Sequence, residues 1–174
     1  ISGEPFDRFC EERIFRPLGM TDTFFYVPRE KMDRLAALYE NDPEGGLRKI
    51  SPTPKELAPE GSRRLCEGGQ GLYSTASDYA RFCQMLLNGG VLDGVRILSR
   101  KTVEAMTVNA TGEHPGPVVE GADRWGLGSV SVCDGRQHAV GVISQGAFMK
   151  SGAYATYFWI DPKEDMFGLI MTQR

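Results

Sequence analysis

Lys150-Ser151-Gly152-Ala153-Tyr154-Ala155-Thr156-Tyr157-Phe158-Trp159-Ile160-Asp161-Pro162 is the stretch whose reading decides the fold. From Ala153 to Ile160 aromatic and β-branched residues prevail, the composition of a half-buried strand. Asp161-Pro162-Lys163-Glu164-Asp165 closes that strand as a turn, and Met166 to Thr172 reads as the returning strand. Upstream, Gly126 to Cys133 and Gln137 to Ser144 read as two further strands, joined by the hairpin signal Asp134-Gly135. Four successive strands with short turns predict an antiparallel meander.

The first half of the chain has a different period. Residues 5 to 15 predict an amphipathic helix, with Pro5 in the first turn and Phe6, Phe9, Cys10 and Ile14 on one stripe. Pro17 ends it. Ser74 to Asp78 supplies cap residues, and Tyr79, Phe82, Cys83, Leu86 and Leu87 form the stripe of a second helix stopped by Asn88-Gly89-Gly90. A third helix is predicted from a Ser99 cap to Met106, facing inward through Val103 and Met106. Residues 41 to 64, rich in Pro and Gly, and residues 107 to 123 read as surface loops. Helices first and a meander after them make the fold class α+β, in one domain over 1–174.

Composition narrows the function. The chain has 174 residues, 20 basic and 23 acidic, for a net charge of −3. That balance, without a Lys/Arg run, argues against nucleic acid as a partner. No apolar run approaches the ~20 residues that a membrane span requires. The 21 glycines point to tight turns rather than a helical bundle. Cys10, Cys66, Cys83 and Cys133 are scattered, without metal-ligand spacing, and read as buried free thiols. His114 and His138 lack a second ligand at useful spacing, so no metal and no cofactor is expected. Asn109-Ala110-Thr111 matches a glycosylation acceptor, a pattern short enough to arise by chance.

Lys150-Ser151-Gly152 is the one triplet with a chemical use. On a strand edge the ammonium supplies charge, the hydroxyl a hydrogen bond to a carboxylate, and Gly room for a substrate to approach. Alone, the triplet reads equally as a turn with an exposed Lys. Its surroundings resemble the serine β-lactamases of class C and their relatives among esterases and penicillin-binding proteins. Three blocks in order carry the resemblance. The first is Ser2 to Phe6 with Ile14-Phe15-Arg16-Pro17-Leu18-Gly19-Met20-Thr21-Asp22-Thr23. The second is Gly68-Gly69-Gln70-Gly71-Leu72-Tyr73-Ser74-Thr75-Ala76-Ser77-Asp78, running on through Phe82 to Leu86-Leu87-Asn88-Gly89-Gly90. The third is Gly152 to Pro162 with Met171-Thr172-Gln173.

The resemblance implies a β-lactamase/transpeptidase-like fold and a serine that is acylated by β-lactam, ester or small amide substrates. It also implies three motifs, Ser-x-x-Lys, Tyr-x-Asn and Lys-Thr-Gly. No Lys here has Ser three positions before it. Pro28, Gly46, Pro52, Leu98, Ala147 and Ile160 stand there instead. Tyr39-Glu40-Asn41 spells the second motif but lies on the wrong side of the first block. The expectation is therefore a C-terminal portion of such a hydrolase, with no catalytic residue in this chain and the missing motifs upstream of Ile1. Lys150 would anchor a substrate carboxylate or leaving group, Ser151 would hydrogen-bond beside it, Gly152 would give clearance, and the Ala153 N–H would donate to an oxyanion. Trp125, Tyr157, Phe158 and Trp159 read as packing residues, Trp125 with a substrate-facing alternative.

Three roles follow. The chain is part of an enzyme acting on a small acyl substrate, or a non-catalytic binding module on the same scaffold, or a subunit whose site another chain completes. An unpaired sheet edge would favour a homodimer. The family implies a bacterial source, periplasmic or cytoplasmic.

Overall fold

The computed structural model describes residues 2–50, 71–114, 123–127, 130–133 and 143–173. The architecture is α+β. Five strands, β5 (Asp123–Trp125), β6 (Ser131–Cys133), β7 (Phe148–Ser151), β8 (Tyr157–Asp161) and β9 (Met166–Ile170), pair antiparallel in chain order. An antiparallel meander is the predicted arrangement, but β5 and β7 are not among the four predicted strands. Two small hairpins accompany it, β1 (Leu38–Asn41) with β2 (Leu47–Ile50), and β3 (Val91–Leu92) with β4 (Val95–Arg96).

Strand boundaries depart from the sequence reading in three places. The single strand expected over 126–133 is a hairpin, because Gly126 to Val130 forms the connection between β5 and β6, closed by Gly126 N–H donating to Val130 O. A Cβ on Gly126 would stand 2.2 Å from the Met106 carbonyl oxygen, so no larger residue fits there. The strand expected from Ala153 begins only at Tyr157, and Lys150-Ser151 ends the preceding strand. The loop expected from residue 41 contains β2. The Asp134-Gly135 turn and most of the Gln137–Ser144 strand lie outside the described residues, as do Cys66 and His138.

The helices follow their predicted signals. Helix α1 (Phe6–Cys10) passes into a π-helical segment over Glu11–Phe15, where Arg16 N–H reaches back to Glu11 O and Met20 N–H to Phe15 O. The helix ends ahead of Pro17, and its wide last turn buries Phe15. Helix α2 (Ala76–Leu87) starts where the Thr75 hydroxyl accepts from Asp78 N–H and stops at Gly89 and Gly90, both at positive φ. At Gly90 a Cβ would lie 2.2 Å from Leu98 O, which fixes glycine there. Helix α3 (Arg100–Met106) is capped by Ser99 in the same way as α2.

Helix α2 lies over β8 and β9, with the Tyr79 and Phe158 rings 5.4 Å apart. Cys83, Met85 and Leu86 meet Val132, Phe148, Phe158 and Ile160 beneath it, while Phe15, Leu18 and Met20 close the core from the first block. Cys10, Cys83 and Cys133 are buried and not in disulfides. Burial pushes the Cys83 thiol and the Tyr79 phenol each up to about 12. No helix among the described residues is long and apolar enough to cross a membrane. At the far side of the sheet β9 pairs, among the described residues, with β8 alone, and Met166 and Ile170 are exposed on it.

Candidate functional site

Antiparallel register decides where the triplet Lys150-Ser151-Gly152 sits. Lys150 stands opposite Phe158 and Ser151 opposite Tyr157. Along β7, Lys150 follows Phe148 and Met149, whose partners on β8 are Ile160 and Trp159. It is half-buried at the end of that apolar row. Ser151, Gly152 and Ala153 are exposed.

Residues Gly152 to Thr156 turn the chain from β7 into β8. Gly152 N–H donates to Thr156 O at 2.8 Å and Ala155 N–H to Gly152 O at 3.2 Å. Ala155 takes φ +58°, a left-handed conformation that an L-residue adopts only when its surroundings hold it there. Thr172 does so from the strand after next. Its hydroxyl lies 2.5 Å from Ala155 O and 3.3 Å from Tyr154 O. The third sequence block thus has a physical basis, since Thr172 braces the turn that follows Lys150. Space at Gly152 is filled from within, because a Cβ there would come 2.3 Å from the Thr156 hydroxyl. The Ala153 N–H has no acceptor among the described residues.

Among the described residues no carboxylate lies within ion-pair distance of Lys150. Its ammonium instead stands 5.0 Å from the centroid of the Trp125 ring. The sequence offers Trp125 as a packing residue or a substrate-facing one, and gives no sign of its contact with Lys150. Twenty-five positions separate it from Lys150 and a whole strand lies between them in the sheet, so no local periodicity could report the pair. The site therefore combines one uncompensated cation, one free backbone donor, a hydroxyl and an indole face. Such a set can bind and polarise an oxyanion or a carboxylate. The set contains no group placed to activate Ser151 as a nucleophile. Tyr39-Glu40-Asn41 lies on β1, where Tyr39 N–H donates to Gln173 O.

Polar residues of the first two blocks meet elsewhere. Asp78, buried on α2, accepts from Asp22 N–H at 2.7 Å and from the Thr23 hydroxyl at 2.9 Å. Asp22 in turn accepts from Lys31 at 2.6 Å and from both arms of Arg34 at 2.7 and 2.9 Å. Hydrogen bonds from Arg34 and then Lys31 hold the Asp22 carboxyl far below the usual carboxylate range. This cluster fastens the Pro17–Thr23 segment to the start of α2. A separate cavity of about 340 Å³ opens between the end of α2, α3, Phe148 and Pro162. Lys150 and its turn do not line that cavity. Among the described residues no three His, Cys, Asp or Glu side chains converge as metal ligands would.

Comparison with known proteins gives consistent matches. The family model described as Beta-lactamase matches residues 1–174. Protein Rv1367c of Mycobacterium tuberculosis is 36% identical over 181 residues, covering 99% of this chain and 44% of that protein. Lovastatin esterase of Penicillium rubens is 33% identical over 132 residues, covering 74% of this chain and 30% of that protein. The structure of a simvastatin synthase (LovD) mutant from Aspergillus terreus superposes with a TM-score of 0.81 at 23% identity, over 99% of this chain and 45% of that one. The chain thus spans less than half the length of each of these proteins.

Proposed function

The chain belongs to the beta-lactamase family, and from that premise we propose that it forms one wall of an acyl-transfer site for a small β-lactam, ester or amide substrate. In this reading Lys150 anchors a carboxylate or leaving group, Ser151 hydrogen-bonds beside it, and the Ala153 N–H stabilises the developing oxyanion. Gly152 permits the tight turn that aims that N–H. The nucleophile and its bases belong to residues outside this chain. The observation that carries the reading is that Lys150, unpaired with any described carboxylate, lies at the end of the strand that leads into a braced turn whose Ala153 N–H has no acceptor among the described residues.

Intact-mass spectrometry after incubation with a fluorophosphonate and, separately, with benzylpenicillin tests it. The expected result is no adduct. A single-site adduct on Ser151 would overturn the assignment of the nucleophile to other residues. A companion titration with acetate, read from the Ala153 amide resonance, is expected to saturate in the wild type and to weaken in Lys150→Met. No response in either protein would overturn the oxyanion wall.

The outer edge of β9, with Met166 and Ile170 exposed, favours a second reading in which another chain or a second copy completes the site. A monodisperse monomer by light scattering at high concentration would count against it. The non-catalytic binding module has no observation of its own beyond the same turn.

A further inference from the structure

We propose that Trp125 is a positioning residue for Lys150. Its ring holds the ammonium at the Ser151–Ala153 turn without neutralising it. The inference rests on the proposed anion-binding role of Lys150 and adds the residue that makes that role efficient.

A lysine side chain has four rotatable bonds, and fixing them costs rotamer entropy unless something holds the head. A carboxylate partner would hold it but would cancel the charge that an incoming anion needs. An aromatic face attracts the cation through its quadrupole and leaves the net charge in place. Lys150 has the second kind of partner and, among the described residues, none of the first.

The backbone from which the indole projects is itself held at Trp125 and at the next residue. Trp125 O accepts from Ala110 N–H at 2.7 Å, and Trp125 N–H donates to the Thr111 hydroxyl at 3.3 Å. The Thr111 loop is closed by its own turn, in which Asn109 Oδ1 accepts from Thr111 N–H at 3.0 Å and Asn109 Nδ2 donates to Gly112 O at 2.9 Å. Next in the chain, Gly126 packs against the Met106 carbonyl with no room for a side chain. Asn109-Ala110-Thr111, read in the sequence as a modification motif, thus acts as the clamp on the backbone of Trp125. Half-burial of both Trp125 and Lys150 shields their contact from water on one side.

The test uses the full 174-residue chain with its lysines reductively ¹³C-methylated and the Lys150 signal assigned through Lys150→Arg. In the wild type the Lys150 methyl resonance should show an upfield ring-current shift. Trp125→Phe should keep part of that shift, and Trp125→Leu should abolish it while leaving the other lysine signals in place. Acetate affinity, followed on the same resonance, should fall about fivefold in Trp125→Leu, the weight of one partly exposed cation–π contact, and about twofold in Trp125→Phe. A Lys150 resonance that does not move in Trp125→Leu overturns the proposal, and so does unchanged acetate affinity in that variant. If the ring-current shift is intact but no variant, wild type included, binds acetate, the anion-binding reading fails while the Trp125–Lys150 contact stands.

Discussion

Two polar clusters in this chain differ in how far their charges are satisfied. At the start of α2, Asp22, Thr23, Lys31, Arg34 and Asp78 form a closed set in which each carboxylate meets donors and each cation meets a carboxylate. At the end of β7, Lys150 meets an aromatic ring and, among the described residues, no counter-ion, the Ala153 N–H has no described acceptor, and Ala155 sits at positive φ. A saturated cluster has no capacity left for a ligand, so its free energy goes into holding segments together. An unsaturated one contributes little to folding and keeps its capacity for a partner. The contrast separates scaffold from site more sharply than residue type does, since both regions contain Lys and Ser or Thr.

The largest expected effect breaks the saturated side. Asp78→Ala strips the acceptor from Asp22 N–H and the Thr23 hydroxyl in a buried setting, and should cost about 3 kcal/mol in denaturant unfolding. Thr172→Val removes the brace on the 152–156 turn and should cost about 1 kcal/mol. Lys150→Met should cost about 0.5 kcal/mol, because only an aromatic contact is lost. Should Lys150→Met destabilise as strongly as Asp78→Ala, the division between the two clusters is wrong.

A pH titration sharpens the same contrast with a weaker signal. The Asp22 carboxyl lies below its unfolded value, so its ion pairs contribute fully above about pH 4, where the unfolded carboxyl is ionised. That contribution is lost as pH falls toward the folded value. Asp22→Asn should therefore flatten the acid limb of the stability curve and leave the neutral-to-alkaline limb parallel to wild type. An unchanged acid limb would remove Asp22 from the network. The smallest signal is chemical. With its thiol pushed up to about 12 and fully buried, Cys83 should stay unalkylated by iodoacetamide at pH 8 in the folded chain. Rapid modification there would mean that α2 does not pack as described.

Legibility in the sequence followed locality. Helices α2 and α3 were readable because their caps, Thr75 and Ser99, and their apolar stripes lie within a few residues of one another. Strands β6, β8 and β9 were readable because each carries its own composition, whereas Asp123–Trp125 and Phe148–Ser151 were not read as strands. Strand ends were less readable. Ala155 turns the chain at positive φ without being Gly, Asn or Asp, so nothing in Ala153 to Thr156 marks a turn, and the strand was read four residues too long. After Trp125 the reverse held, and one strand was read where β5 pairs back on β6. Lys150 was recognisable as a candidate from its triplet, but its partner was not. Trp125 reaches it only through strand order and side-chain direction, which no window of sequence contains.

The register that pairs Trp159 with Gly168 puts the second indole of the chain flat over a residue with no side chain, where even a Cβ would fall 1.9 Å from the ring. The two tryptophans are thereby divided between β8 and the candidate site. Intrinsic fluorescence is then a two-channel instrument already present in the molecule. With Trp125 replaced by Phe, the remaining emission follows the integrity of the β8–β9 ladder alone. With Trp159 replaced by Phe, it follows what happens beside Lys150, without a dye or a label.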